Sequence, residues 1–101
     1  MGWASGHIQK LLAGETVQFR PRGNSMTGRV NDGDLVTVEP IRNHVIAKGD
    51  VVLCKVAGRQ FLHLVTGTRH DNTYQISNNK GHVNGWVGRN CIYGICTHVE
   101  A

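Results

Sequence analysis

The sequence predicts a mostly-β domain, a compact bent sheet or partly open barrel with one short N-terminal helix. Three observations lead there. One segment of helical period opens the chain, β-branched runs of period two follow it, and Gly, Asn and Asp separate those runs. The 13 glycines are spread along all 101 residues, with 40% of residues hydrophobic and 18% charged, which describes a turn-rich globule rather than a disordered chain. On length, residues 1–101 make a single domain with a modest core.

The helix is expected over Ser5–Ala13 (SGHIQKLLA), where Ile8, Leu11 and Leu12 share a face, Ser5 caps the start and Gly14 ends it. The period then changes. Thr16–Arg20, Leu35–Glu39, Val51–Val56, Gln60–Thr66, Thr73–Ser77 and Cys91–Val99 are short and bounded by turn formers, so each reads as a strand. Ala57-Gly58-Arg59 has the length of a hairpin connection between two of them. Gly33-Asp34 and Gly49-Asp50 each precede a strand, and both aspartates are assigned to turns. Trp86 and Val87 are assigned to the core, and Trp3 to pinning the helix or a partner. Such a strand set favours a strongly bent sheet, whose edges require protection.

The formal charge of +4 invites a nucleic-acid reading, but the basic residues are scattered and no run of them is interleaved with aromatics. A generally cationic surface is expected instead of a specific nucleic-acid site. Cys54, Cys91 and Cys96 are odd in number, contain no CxxC and have no zinc spacing, which points to a reducing, cytoplasmic compartment. His7, His44, His70, His82 and His98 show no ligand spacing either, so surface positions are expected, with no metal and no other cofactor. No run approaches the ~20 apolar residues of a membrane span.

The chemistry concentrates in Phe19–Val38, FRPRGNSMTGRVNDGDLVTV. Gly23 allows a close backbone bend, so that the Ser25 hydroxyl projects into open space. Backbone N–H groups of Asn24, Ser25 and Met26 are then available to a substrate or a developing oxyanion. A serine hydroxyl is a weak nucleophile without a neighbouring base. On the strand Gln60–Thr66, alternation gives Phe61, His63 and Val65 one face and Leu62 and Leu64 the other. An imidazole between two apolar neighbours is either a satisfied structural histidine or a base held in a cleft.

Four blocks in order, GNSM with the following Gly33-Asp34 strand, GDVVLCKV, QFLHLVTG, and YQISNN with NCIYGIC, resemble the core of LexA-like and signal-peptidase-like serine peptidases. The family pattern reads G-x-S-M-x-P, then G-D-x-V-x-V, a second Gly-Asp strand, a hairpin strand bearing the base, and closing strands. The resemblance runs from about Leu11 to Val99. It implies Ser25 as nucleophile and, at the base position, His63 in place of the usual lysine, as in endoplasmic-reticulum-type signal peptidases. It also implies a peptide or protein substrate bound as an extended strand, with small residues at the cleavage point. The chain departs from the pattern at Gly28, where the family has proline, and at Gly23, where many members have a serine. At Ser77 the family places an acid, and Asp71 is the nearest carboxylate in sequence. The alternative function is a catalytically inactive relative serving as a peptide-binding or dimerisation module.

Overall fold

The computed structural model describes residues 2–42 and 44–101. A helix α1 (Ser5–Leu12) leads into strands β1 (Val17–Phe19), β2 (Leu35–Pro40), β3 (Val51–Val56), β4 (Arg59–Thr68), β5 (Thr73–Ser77), β6 (Val83–Gly88) and β7 (Ile92–Glu100). A 3₁₀ turn over Arg89–Cys91 joins the last two. All pairings are antiparallel, in the order β1-β2-β7-β3-β4-β5-β6. The fold is the mostly-β sheet with one short helix that the sequence predicts.

Alternation along the strands divides the core in two. In β3, Leu53 faces one side and Val52, Cys54 and Val56 the other, all well buried. On the Leu53 side, α1 lays Ala4, Ile8 and Leu11 against Val17, Val36 and Val38, and Met26 and Val30 complete the layer. On the other side Val52, Cys54, Val65, Ile76, Val87 and Ile95 pack together. Register shifts at Thr37/Val38, Leu53/Cys54, Val65/Gly67 and Ile76/Ser77 bend the sheet. The bend brings β6 back over β3, where a Cβ on Gly85 would stand 3.1 Å from Val56 Cγ1.

The helix end follows from the sequence, while its start does not. Gly14 takes φ +89, and its N–H and that of Glu15 donate to the carbonyls of Leu11 and Lys10, a Schellman closure. Ser5, however, is not the cap: that position is Ala4, with no side-chain cap bond. The Ser5 hydroxyl instead accepts from the Gly2 N–H and from Gln60 Nε2. Gln60 anchors this end from β4, since its Oε1 accepts the Ala4 N–H at 2.7 Å and its carbonyl accepts Trp3 Nε1–H at 3.2 Å. Leu12 also departs from expectation, lying exposed while Ile8 and Leu11 are buried.

Strand β6 was not expected, because VNGWVG carries two glycines and little β-branching. Within it Trp86 and Val87 are adjacent, so they take opposite faces and only one can enter the core. Val87 does. Trp86 remains partly exposed, with the Arg69 guanidinium 3.7 Å from its ring centroid.

Candidate active site

Ser25 stands on the loop between β1 and β2, which has little regular structure and is fastened largely by side chains. Gly23 adopts φ +108, and its N–H donates to Asp32 Oδ1 at 2.8 Å. The Asn24 carbonyl accepts from both the N–H and the hydroxyl of Thr27. Met26 and Val30 plug the loop into the core, joined by a 2.8 Å bond from the Val30 N–H to the Met26 carbonyl. Gly28 takes φ +99 and donates its N–H to Asn31 Oδ1. Proline is fixed near φ ~−65° and has no N–H, so the family's proline is incompatible with this turn.

Asn79, just beyond β5, clamps the loop from outside. Its backbone N–H donates to the Ser25 carbonyl at 2.8 Å, its Nδ2 to the Thr27 carbonyl, and its Oδ1 accepts from Arg29 Nε. Ser25 is left exposed between Gly23 and buried Met26. Among the described residues, no acceptor takes the N–H of Asn24, Ser25 or Met26.

His63 arrives by a different route. It sits in β4 opposite Val52 of β3, only 7% exposed, with its ring stacked on Phe61 at a 4.6 Å centroid distance. Its Nε2 lies 3.1 Å from Ser25 Oγ, and its Nδ1 lies 2.7 Å from Asn84 Oδ1. An amide oxygen only accepts, so Nδ1 carries the proton and the Nε2 lone pair faces the serine hydroxyl. Burial pushes the imidazole below its ordinary value. The Asn84 bond opposes that shift, and nearby His82 adds to it.

Asn84 is a site residue that the sequence did not reveal. In the pairing of β5 with β6, Ile76 faces Gly85 and Ser77 faces Val83, so Asn84 is the extra residue of a bulge. A bulge re-aims a side chain that strict alternation would send elsewhere. The available signal was the Asn-Gly pair 84–85, which reads as a turn rather than as a strand interrupted by a bulge.

Neither the family's acid position, Ser77, nor the aspartates reach the His63 ring. Ser77 is buried and shares a 2.7 Å hydrogen bond with Thr66 Oγ1. Asp71 is exposed in a turn, where its Oδ1 accepts from Thr73 Oγ1; that bond holds its carboxyl below the usual range. Asp34 and Asp50 accept from the N–H of Asn31 and Ala47, the turn roles expected for them.

A cleft of about 460 Å³ opens over the pair, lined by Ser25, Met26, Val30, Phe19, Phe61, Leu62 and His63, with Trp3, Arg20 and Arg22 at its margin. The pairing of β5 with β4 ends at Ser77 and Leu64. Residues Gln60–His63 therefore pair only with β3, and their other edge faces the cleft. Among the described residues no cysteine lines this cleft, and burial pushes the Cys54 thiol up to about 12, well outside nucleophilic range. Among the described residues, no group of His, Cys, Asp and Glu is arranged to hold a metal ion, and no helix is long and apolar enough to cross a membrane.

Among curated proteins, none matches this chain. Residues 8–89 match the family described as Peptidase S24-like, a span that includes Ser25, Asn79, His63 and Asn84. That span is well over half of the sequence, and the chain belongs to the Peptidase S24-like family.

Proposed function

We propose that the protein is a serine peptidase in which Ser25 is the nucleophile, His63 the general base and Asn84 the residue that orients the base. A substrate chain adds as a strand to the open edge of Gln60–His63, which brings its scissile carbonyl over Ser25. Ser25 Oγ attacks the carbonyl carbon as His63 Nε2 takes the hydroxyl proton. The N–H groups of Ser25 and its neighbours Asn24 and Met26 face the oxyanion that develops. The C–N bond then breaks, and the His63 proton goes to the leaving amine. Water, deprotonated by the same nitrogen, releases the acyl group and restores the Ser25 hydroxyl.

The observation that carries this reading is the pair of contacts on one ring, Ser25 Oγ at Nε2 and Asn84 Oδ1 at Nδ1. A histidine kept only for structure would satisfy both nitrogens inside the core. Here one nitrogen meets an exposed hydroxyl at the floor of a cleft. The three cysteines are free, which supports a reducing compartment. A peptide library incubated with wild type and with Ser25→Ala tests the proposal. Cleavage by the wild type alone is expected; binding by both proteins with cleavage by neither would make the chain a peptide-binding relative.

A further inference from the structure

We infer that the cleft selects acidic peptides carrying an aromatic or other large apolar side chain close to the bond over Ser25. This inference rests on the peptidase reading and adds the class of substrate to it. The first observation is the wall of the cleft. Phe19 packs against both His7 and Trp3, with ring centroids 4.3 Å and 5.7 Å away, and those two meet each other at 6.5 Å, so an aromatic cluster borders the opening. The Trp3 indole is tied by Nε1 to the Gln60 carbonyl yet is 53% exposed. Its ring is held in place with a face still in water. Rigid aromatic walls bury a large apolar side chain without first having to be ordered, whereas a methyl group would leave most of a 460 Å³ cleft unfilled.

The second observation is charge. Arg20 and Arg22 line the same cleft, and among the described residues no carboxylate does. Asp32, on the same loop, is turned to the Gly23 N–H. Arg20 gives one guanidinium nitrogen to the Gly33 carbonyl and retains further donors. On the β4 side, the Arg59 guanidinium lies 5.7 Å from the Phe61 ring centroid. A concave site walled by apolar groups and rimmed by one sign of charge concentrates the opposite sign. The large residue fills the aromatic pocket, and carboxylates flanking it face the arginine rim. Small residues at the cut itself remain compatible with this arrangement.

Four fluorescent peptides sharing one Ala-Gly bond, with Phe or Ala before it and Asp or Lys around it, test the inference. Binding is measured on Ser25→Ala and cleavage on the wild type. On Ser25→Ala, the Phe/Asp peptide is expected to bind about 10-fold or more tighter than the Ala/Lys peptide. Raising salt from about 50 mM to about 500 mM should erode the Asp preference and spare the Phe preference. Arg22→Glu should invert the charge preference, and Trp3→Ala should reduce the Phe preference while a cooperative melting transition is retained. Equal binding of the four peptides, binding of none, or a charge preference unmoved by Arg22→Glu would overturn the inference. Selective binding without cleavage would sink the peptidase reading alone, and indiscriminate cleavage would sink this inference alone.

Discussion

The loop that carries Ser25 and the strand that carries His63 meet at 3.1 Å, yet they are held by opposite means. His63 is fixed by the β3–β4 ladder, by burial and by its stack on Phe61. Ser25 has no ladder around it. Its position depends on Asn79, on two glycines with positive φ and on the Met26–Val30 plug. The base is thus built into a paired, buried strand, and the nucleophile onto a loop that individual side chains hold in place. Substitution of His63 should act mainly through chemistry, and substitutions in the loop around Ser25 through geometry.

The largest expected effect is that of Ser25→Ala, which should abolish covalent turnover while leaving the melting temperature near wild type. His63→Ala should lower kcat/KM on the order of 10²–10⁴-fold, the usual contribution of a positioned base. The double variant should be little worse than Ser25→Ala alone, since the two residues act as a unit. A double variant with additive losses would separate the two residues.

Asn84→Ala should cost about 10- to 100-fold in kcat with little change in KM, as expected for one hydrogen bond to an imidazole that becomes charged. Asn84→Asp should keep the orientation and raise the apparent pKa of the pH–rate profile, because a carboxylate stabilises the imidazolium. A merely structural Asn84 would leave that pKa unmoved.

The loop is expected to respond differently. Gly28→Pro removes a donor and demands the wrong φ, so it should cost more than about 1 kcal/mol by denaturant titration and reduce kcat with it. Asn79→Ala should reduce kcat through the serine's position, with the profile pKa unchanged. If Asn79→Ala instead shifted that pKa, the division between loop and strand would fail.

The smallest effect concerns stability. The His63 pKa is lower folded than unfolded, so its effect is nil above the unfolded value near ~6.5. Below that value the unfolded chain binds more protons, and stability should fall until the folded value is passed. His63→Gln should flatten this part of the pH–stability curve.

The same division explains what was legible in the sequence. The strand bearing His63 showed itself through alternation and flanking turns, and Ser25 through the Gly-Asn-Ser-Met block and its resemblance to a family. Asn84 stayed hidden because its placement comes from a one-residue slip of β6 against β5, which no local pattern encodes. Ser5 had the chemistry of a cap, but Gln60, distant in sequence, claims its hydroxyl and the Ala4 N–H. The sequence reading places Trp86 and Val87 in the core together, but adjacent residues of a strand take opposite faces, and Val87 takes the inner one. Gly28 stands in the sequence only as a departure from the family's proline, whereas the positive φ makes glycine the residue that this turn requires.

Labelling with a fluorophosphonate, which requires no knowledge of the substrate, decides whether Ser25 is a nucleophile activated by His63. The site of modification is located by mass spectrometry, and its rate is followed from about pH 4 to about pH 9. A single adduct on Ser25 is expected, with a rate that rises through an apparent pKa below ~6.5 and collapses in His63→Ala. An adduct elsewhere, no adduct on the folded wild type, or labelling of Ser25 at an undiminished rate in His63→Ala would contradict it.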